Sequence, residues 1–136
     1  MIRLTLAVTA ALMLGLTLGT AAYAQDSVAV PSGQLVVLSE VLIDDSPGET
    51  WLRFRFLAPQ IAREGGDIDT DTAASDMDHL CEHLVLPYLA QYTLDPSRVV
   101  ISLSDRDVPF GASAPEATQF FEQYRPENTT CIWEGF

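Results

Sequence analysis

The stretch LVVLSEVLIDDSPGETWLRFRFL, residues 35–57, decides the fold class because two apolar runs flank a turn within it. Residues 35–43 are rich in Val, Leu and Ile, and residues 44–49 carry the Asp, Ser, Pro and Gly that are typical of turns. Apolar and polar residues then alternate from Trp51 to Leu57, and Pro59 ends the run. This pattern predicts a β-hairpin.

The two faces of the predicted hairpin differ in character. A turn centred on residues 46–47 would place Val37 opposite Phe56 and Glu40 opposite Arg53. The face predicted to enter the core comprises Val37, Val41, Ile43, Leu52, Phe54 and Phe56. The other face is too apolar for an ordinary wet surface, yet it carries charges that a core would reject. We predict that a loop covers it or that it binds a partner; its possible binding surface comprises Leu38, Leu42, Trp51, Arg53 and Arg55.

The rest of the chain predicts two helices and two further strands. Ser75 or Asp76 can cap a helix from Met77 to about Tyr92, with a kink or a break at Pro87. The β-branched run at residues 99–103 predicts a third strand.

The sequence SAPE at residues 113–116 matches a capping box, and it predicts a second helix that Pro126 ends. The apolar side of this helix would be Ala117, Phe120, Phe121 and Tyr124. Residues 131–133 predict a closing strand. The expected fold is therefore a two-layer α+β domain, with about four strands in ββαβαβ order and two helices on one face.

The N-terminal residues predict export. Arg3 precedes an apolar run at residues 4–18, and Ala22-Tyr23-Ala24 has the small-x-small pattern of a signal-peptidase site. The apolar run is shorter than a membrane span needs. We predict a signal peptide at residues 1–24, cleavage between Ala24 and Gln25, and a periplasmic or secreted single domain at residues 25–136.

The two cysteines, Cys81 and Cys131, suit an oxidising compartment, where thiols pair. We predict one disulfide between them. It would stabilise the fold by about 4 kcal/mol in the chain-entropy model.

The charge is strongly acidic, because 7 arginines and no lysine stand against 19 acidic residues, for a net charge of −12. A chain of this charge repels nucleic acid and anionic lipid. No apolar run after residue 24 is long enough to cross a membrane. We therefore expect a protein partner, not yet identified, and neither a nucleic-acid partner nor a membrane span.

HLCEH at residues 79–83 matches the H-x-x-E-H pattern of the inverzincin metalloproteases. The chain is too short for that family's domain, and His79 and His83 are predicted on the solvent side of the helix, so we interpret the match as a coincidence. A milder zinc site remains open, because Asp76, His79 and His83 would share one helix face. The sequence favours no cofactor, with zinc or calcium as the alternatives.

A calcium loop is the second metal hypothesis. Asp67, Asp69 and Asp71 have D-x-D-x-D spacing, and Asp78 occupies the twelfth position of such a loop. Thr72 stands where the loop needs glycine, which weakens the match.

Four segments, DMDHLCEH, RVVISLSDR, FFEQYR and CIWEGF, make most of the chain resemble a family of short, exported and uncharacterised bacterial proteins. Some members carry an acetolactate synthase label, but this sequence has no G-D-G motif for thiamine diphosphate. The resemblance implies a periplasmic location and adds no activity. The sequence leaves enzymatic activity open and favours a non-catalytic domain that binds a partner through the second hairpin face; a metal-binding protein or metal-dependent hydrolase using residues 67–83 is the alternative.

Overall fold

The computed structural model describes residues 26–135. Its centre is one five-stranded mixed sheet with the strands side by side in chain order. The strands are β1 (Val37–Asp44), β2 (Trp51–Leu57), β3 (Arg98–Ser104), β4 (Gln119–Glu127) and β5 (Thr130–Trp133). The β2 and β3 pair is parallel, and the other three pairs are antiparallel. The chain crosses from β2 to β3 through a short 3₁₀ turn (Pro59–Ile61) and the helical segment.

The helical segment consists of α1 (Thr70–Leu80), a π-helical turn (Cys81–Val85) and α2 (Leu86–Gln91). It begins at Thr70, seven residues before the predicted start at Met77, because the Asp69 side chain caps it by accepting a hydrogen bond from the backbone N–H of Thr72 at 2.8 Å. Pro87 lies in the first turn of α2, where a missing N–H is tolerated. The π turn just before it provides the predicted irregularity.

The hairpin is confirmed, but its predicted register is wrong. The connection spans residues 45–50, with Gly48 at a φ of 88° that suits glycine, so Val41 pairs with Phe54 and Glu40 pairs with Arg55. The register also shifts between Leu38 and Glu40, which leaves one extra residue in β1.

Because of this bulge, two neighbouring residues lie on the faces of the sheet opposite to those predicted for them. Leu38 pairs with Phe56 and packs against the core, although it was predicted on the outer face. Val37 pairs with Leu57 on the opposite face. Ile43, predicted as core, is 67% exposed on the edge strand β1.

The prediction of four strands and two helices is wrong, because the second predicted helix is strand β4. The capping-box residues form only a turn, closed by a hydrogen bond from the Ala117 N–H to the Ala114 carbonyl. In β4, Phe120 and Tyr124 lie on the core face and Phe121 lies on the other face. Pairing with β3 on one side and β5 on the other satisfies the backbone, and this outweighs the local capping signal.

The core lies between the helical segment and one face of the sheet. Its largest buried side chains are Tyr124, Phe54, Phe56, Leu52, Met77, Leu80, Ile101 and Leu103. The predicted disulfide is confirmed: Cys81 in the π turn and Cys131 in β5 have Cα atoms 6.2 Å apart. The disulfide therefore ties the short edge strand to the helix.

Hydrogen bonds to a buried carboxylate of α1 connect the residues before β1 to the helix. Asp76 accepts hydrogen bonds from the Ser32 N–H at 3.0 Å, from the Ser32 hydroxyl at 2.5 Å and from the Gln34 Nε2 at 2.7 Å. Nearby, Val28 donates its N–H to the Val36 carbonyl.

The opposite face of the sheet, here called the outer face, is partly covered by the 105–118 loop that follows β3. Val100 on this face is only 1% exposed, and Val108 of the loop is also buried. Strand β3 is thus buried on both sides. Within residues 26–135, no helix is both long and apolar enough to cross a membrane. The predicted signal peptide lies outside the described residues.

Candidate functional site

A cleft of about 270 Å³ opens on the outer face between the sheet and the 105–118 loop. We call it the outer-face cleft. Its lining combines side chains of the sheet with the tip of the loop: Arg53, Arg55, Val100, Ser102, Gln119 and Phe121 from the strands, and Val108, Pro109, Phe110, Gly111 and Ala112 from the loop. Phe110 is 56% exposed and Phe121 is 47% exposed, so the rim presents aromatic surface to solvent.

Arg53 is held at one side of this cleft by an ion pair and two rings. Its Nε donates to an Asp44 carboxylate oxygen at 2.8 Å. Its guanidinium carbon lies 5.8 Å from the centre of the Trp51 ring and 5.5 Å from that of Phe110. Both distances are within the range of cation–π attraction. The guanidinium is therefore fixed in orientation while its side chain keeps 20% of its surface exposed.

Arg55 fastens the loop to the sheet. It pairs with Glu40 across the hairpin, and its Nη2 donates to the Val108 carbonyl at 2.5 Å. Its guanidinium carbon also lies 5.6 Å from the Phe110 ring centre. Arg55 is thus used within the domain, and it holds Phe110 over the cleft.

The Asp44 carboxylate is strongly biased toward its ionised form. Hydrogen bonds from the hydroxyl and the backbone N–H of Ser46, and then from Arg53, lower the pKa of Asp44 from 3.8 to about 2. The ion pair that orients Arg53 is therefore intact at neutral and mildly acidic pH.

The structure divides the predicted binding surface. Trp51, Arg53 and Arg55 lie on the outer face as expected, and Leu42 pairs with Arg53 beside them. Leu38 lies on the other side of the sheet. Sequence reasoning missed Phe110, Ser102 and Phe121, of which Phe121 was assigned to a helix. The continuous apolar run of β3 was the available signal that both faces of this strand are covered.

The structure does not assemble the predicted zinc ligands. Asp76 is fully buried, with Ser32 and Gln34 as its partners, whereas His79 and His83 stack on each other with ring centres 3.9 Å apart. The Nδ1 atom of His83 lies 3.1 Å from the His79 carbonyl oxygen. Among residues 26–135, no group of three or more His, Cys, Asp or Glu side chains could hold a metal ion.

The predicted calcium loop is helical over most of its length. Asp69 is the cap of α1, and Asp71 and Asp78 lie within α1. The Asp78 carboxylate accepts a hydrogen bond from the Tyr124 hydroxyl at 2.6 Å, and Asp67 is 3.4 Å from the Gln60 amide. A helix cannot wrap these carboxylates around one ion as a calcium loop does.

These features define a class: a small disulfide-linked domain with one mixed sheet, a helical layer on one face and an arginine- and aromatic-lined cleft on the other. The chain belongs to DUF6497, a family of unknown function whose model matches residues 12–136. This agrees with the resemblance to an uncharacterised family. No curated protein and no solved structure matches the chain.

Proposed function

We propose that the protein is an exported, non-catalytic domain that binds a protein partner through the outer-face cleft and its aromatic rim. The observation that carries this proposal is the cleft itself, where the Arg53 guanidinium lies within cation–π range of Trp51 and Phe110, and Phe121 is exposed at the edge. Aromatic residues and arginine are enriched in protein interfaces and at their energetic centres.

The chemistry of the cleft suits binding better than catalysis. Its charged lining groups are the arginines Arg53 and Arg55, whose guanidinium groups do not release protons at physiological pH. They can orient a ligand, but they cannot act as a general base.

The periplasmic location rests on the sequence pattern of residues 1–24 and on the disulfide, which forms in an oxidising compartment. Recovery of the protein from the native cell and N-terminal sequencing would test it. A mature chain that begins at Gln25 supports export. A chain that retains residues 1–24 in the cytoplasm contradicts it.

Partner binding can be tested with a photo-crosslinking amino acid, p-benzoylphenylalanine, placed at Phe121 in the native cell. The matched control places it at Tyr92, which is similarly exposed but follows α2 on the helical side of the sheet. We expect a discrete adduct from position 121 and none from position 92. Equal adducts from both positions, or none from position 121, would refute binding through this face.

A further inference from the structure

We infer that the outer-face cleft recognises a carboxylate group of a polypeptide, held by the Nη atoms of Arg53 and the hydroxyl of Ser102. This inference rests on the proposed function, because it names the chemistry by which the cleft would recognise its partner. Four features of the cleft support it.

The first feature is the donor capacity of Arg53. Only its Nε is engaged, by Asp44; no hydrogen bond within residues 26–135 uses Nη1 or Nη2. The Trp51 and Phe110 rings lie on its sides, with their centres 5.8 Å and 5.5 Å from the guanidinium carbon, in the range of cation–π attraction. The two Nη atoms remain a fork of N–H donors, which is the geometry that matches a carboxylate.

The second feature is the hydroxyl of Ser102. This residue lines the cleft and is only 6% exposed, yet in the described part of the chain its hydroxyl makes no hydrogen bond. The Ser102 Oγ is not among the fully buried atoms without a partner in this part of the chain, so it is reached from the cleft and can bond a ligand there. Ser102 pairs with Arg55 and lies two residues along β3 from Val100, the partner of Arg53, so it is a diagonal neighbour of Arg53 on the same face.

The third feature is the local balance of charge. The two arginines are already matched by Asp44 and Glu40, each in an ion pair. With the arginines matched, the chain's net charge of −12 repels every anion, but it repels a singly charged ligand less than a doubly charged one. A phosphate group, which carries nearly two charges, would be repelled more strongly. The balance therefore favours a carboxylate over a phosphate.

The fourth feature is the shape of the site. A free small molecule is usually enclosed over most of its surface, whereas this cleft is small and its rim residues Phe110 and Phe121 are about half exposed. A polypeptide can place a carboxylate in the cleft and continue across the rim. This shape argues for a carboxylate carried by a peptide, either at its C-terminus or on an acidic side chain.

The test is a titration of ¹⁵N-labelled mature protein, followed by NMR, with five defined probes. Acetyl-Gly-Leu carries a C-terminal carboxylate, its C-terminal amide carries none, and acetyl-Asp-Leu-amide carries one only on a side chain. Sodium acetate and inorganic phosphate complete the set. We expect at least one carboxylate peptide to move the amide signals of Ser102, Phe110 and Phe121, while the uncharged peptide leaves them unchanged.

The variant Arg53→Gln should weaken peptide binding about tenfold, since it removes a charge-assisted pair of hydrogen bonds. Arg53→Lys should also weaken it, because lysine keeps the charge without the fork. Arg125→Gln is the matched control: Arg125 lies on β4 outside the cleft lining and pairs with Glu127 and Glu134. Unchanged signals from the core confirm that each variant is folded.

Three results would overturn the inference. Equal binding of the uncharged peptide would show that only the apolar walls matter. Tighter binding of phosphate, or equal binding of acetate, would show a different ligand. No response to any probe would exclude carboxylate recognition; if the crosslink from Phe121 persisted, the proposed function would stand without it.

Discussion

Removal of the Cys81–Cys131 disulfide is the perturbation whose size follows most directly from the structure. The bond closes a loop with a sequence separation of 50 residues. In the chain-entropy model, opening such a loop lowers the free energy of unfolding by about 4 kcal/mol. For a domain of this size that is a fall in melting temperature of roughly 15 °C. Without the bond, β5 should be the first strand to open, because it is a four-residue edge strand that the disulfide links to the π turn.

The assay is thermal and urea unfolding of the oxidised protein, of the reduced protein and of Cys81→Ala/Cys131→Ala. The reduced protein is the matched control, because it loses the cross-link but keeps both sulfur atoms in the core. In the reduced protein and in the double alanine variant, the backbone amides of residues 130–133 should exchange hydrogen faster than they do in the oxidised protein. If the two cross-link-free proteins melted within about 3 °C of the oxidised one, the disulfide would not stabilise the fold as the model requires.

Three further predictions concern buried and titrating groups. Asp76→Ala should lower the free energy of unfolding by about 3 kcal/mol in urea, because it leaves the Ser32 and Gln34 donors without an acceptor. The control Glu82→Ala, at an exposed position, should change it by less than about 0.5 kcal/mol. Hydrogen bonds from Ser46, and then from Arg53, lower the pKa of Asp44 to about 2, so its stabilising contribution is present above a pH of about 4 and is lost as the pH falls through about 2. The stability difference between wild type and Asp44→Asn should therefore shrink steadily as the pH falls over that range. A difference that stayed constant would contradict the assignment. Burial and the Asp78 carboxylate raise the pKa of Tyr124 above its ordinary value of 10.0. The free energy of unfolding should therefore decline above a pH of about 10, and the Tyr124 phenolate should appear only as the protein unfolds. Tyrosinate absorbance from Tyr124 in the folded protein would refute this assignment.

The apolar periodicity of residues 35–57 and the pair of cysteines were enough to predict the hairpin and the disulfide. The hairpin depends on a local signal, an alternating pattern around a turn. The disulfide depends on the cysteine count, because two cysteines allow only one pairing. The burial of Leu52, Phe54 and Phe56 followed from the same alternation.

Strand β4 could not be identified in this way, because its residues satisfy two patterns. Ser113 and Glu116 match a helix cap, and Phe120, Phe121 and Tyr124 fit one side of a helix. The strand forms because β3 and β5 provide partners along both edges, and such partners are distant in sequence. Local pattern reasoning does not include them.

The sequence predicted the strand residues of the candidate site but not the loop that completes it. The mixed character of the outer face singled out Trp51, Arg53 and Arg55, but the single-residue bulge that moves Leu38 to the core has no clear sequence signal. The 105–118 loop folds back over β3 through contacts with residues that are distant in sequence, so local patterns do not predict its position. It brings Phe110 onto Arg53 and creates the cleft.

The central claim, that the outer-face cleft binds a partner, is tested most directly by the yield of the Phe121 photo-crosslink in three otherwise identical proteins. The first is unchanged elsewhere, the second carries Arg53→Gln, and the third carries the control Arg125→Gln. We expect a discrete adduct whose yield falls about tenfold with Arg53→Gln and is unchanged with Arg125→Gln. No adduct from Phe121 in the unchanged protein would contradict the claim.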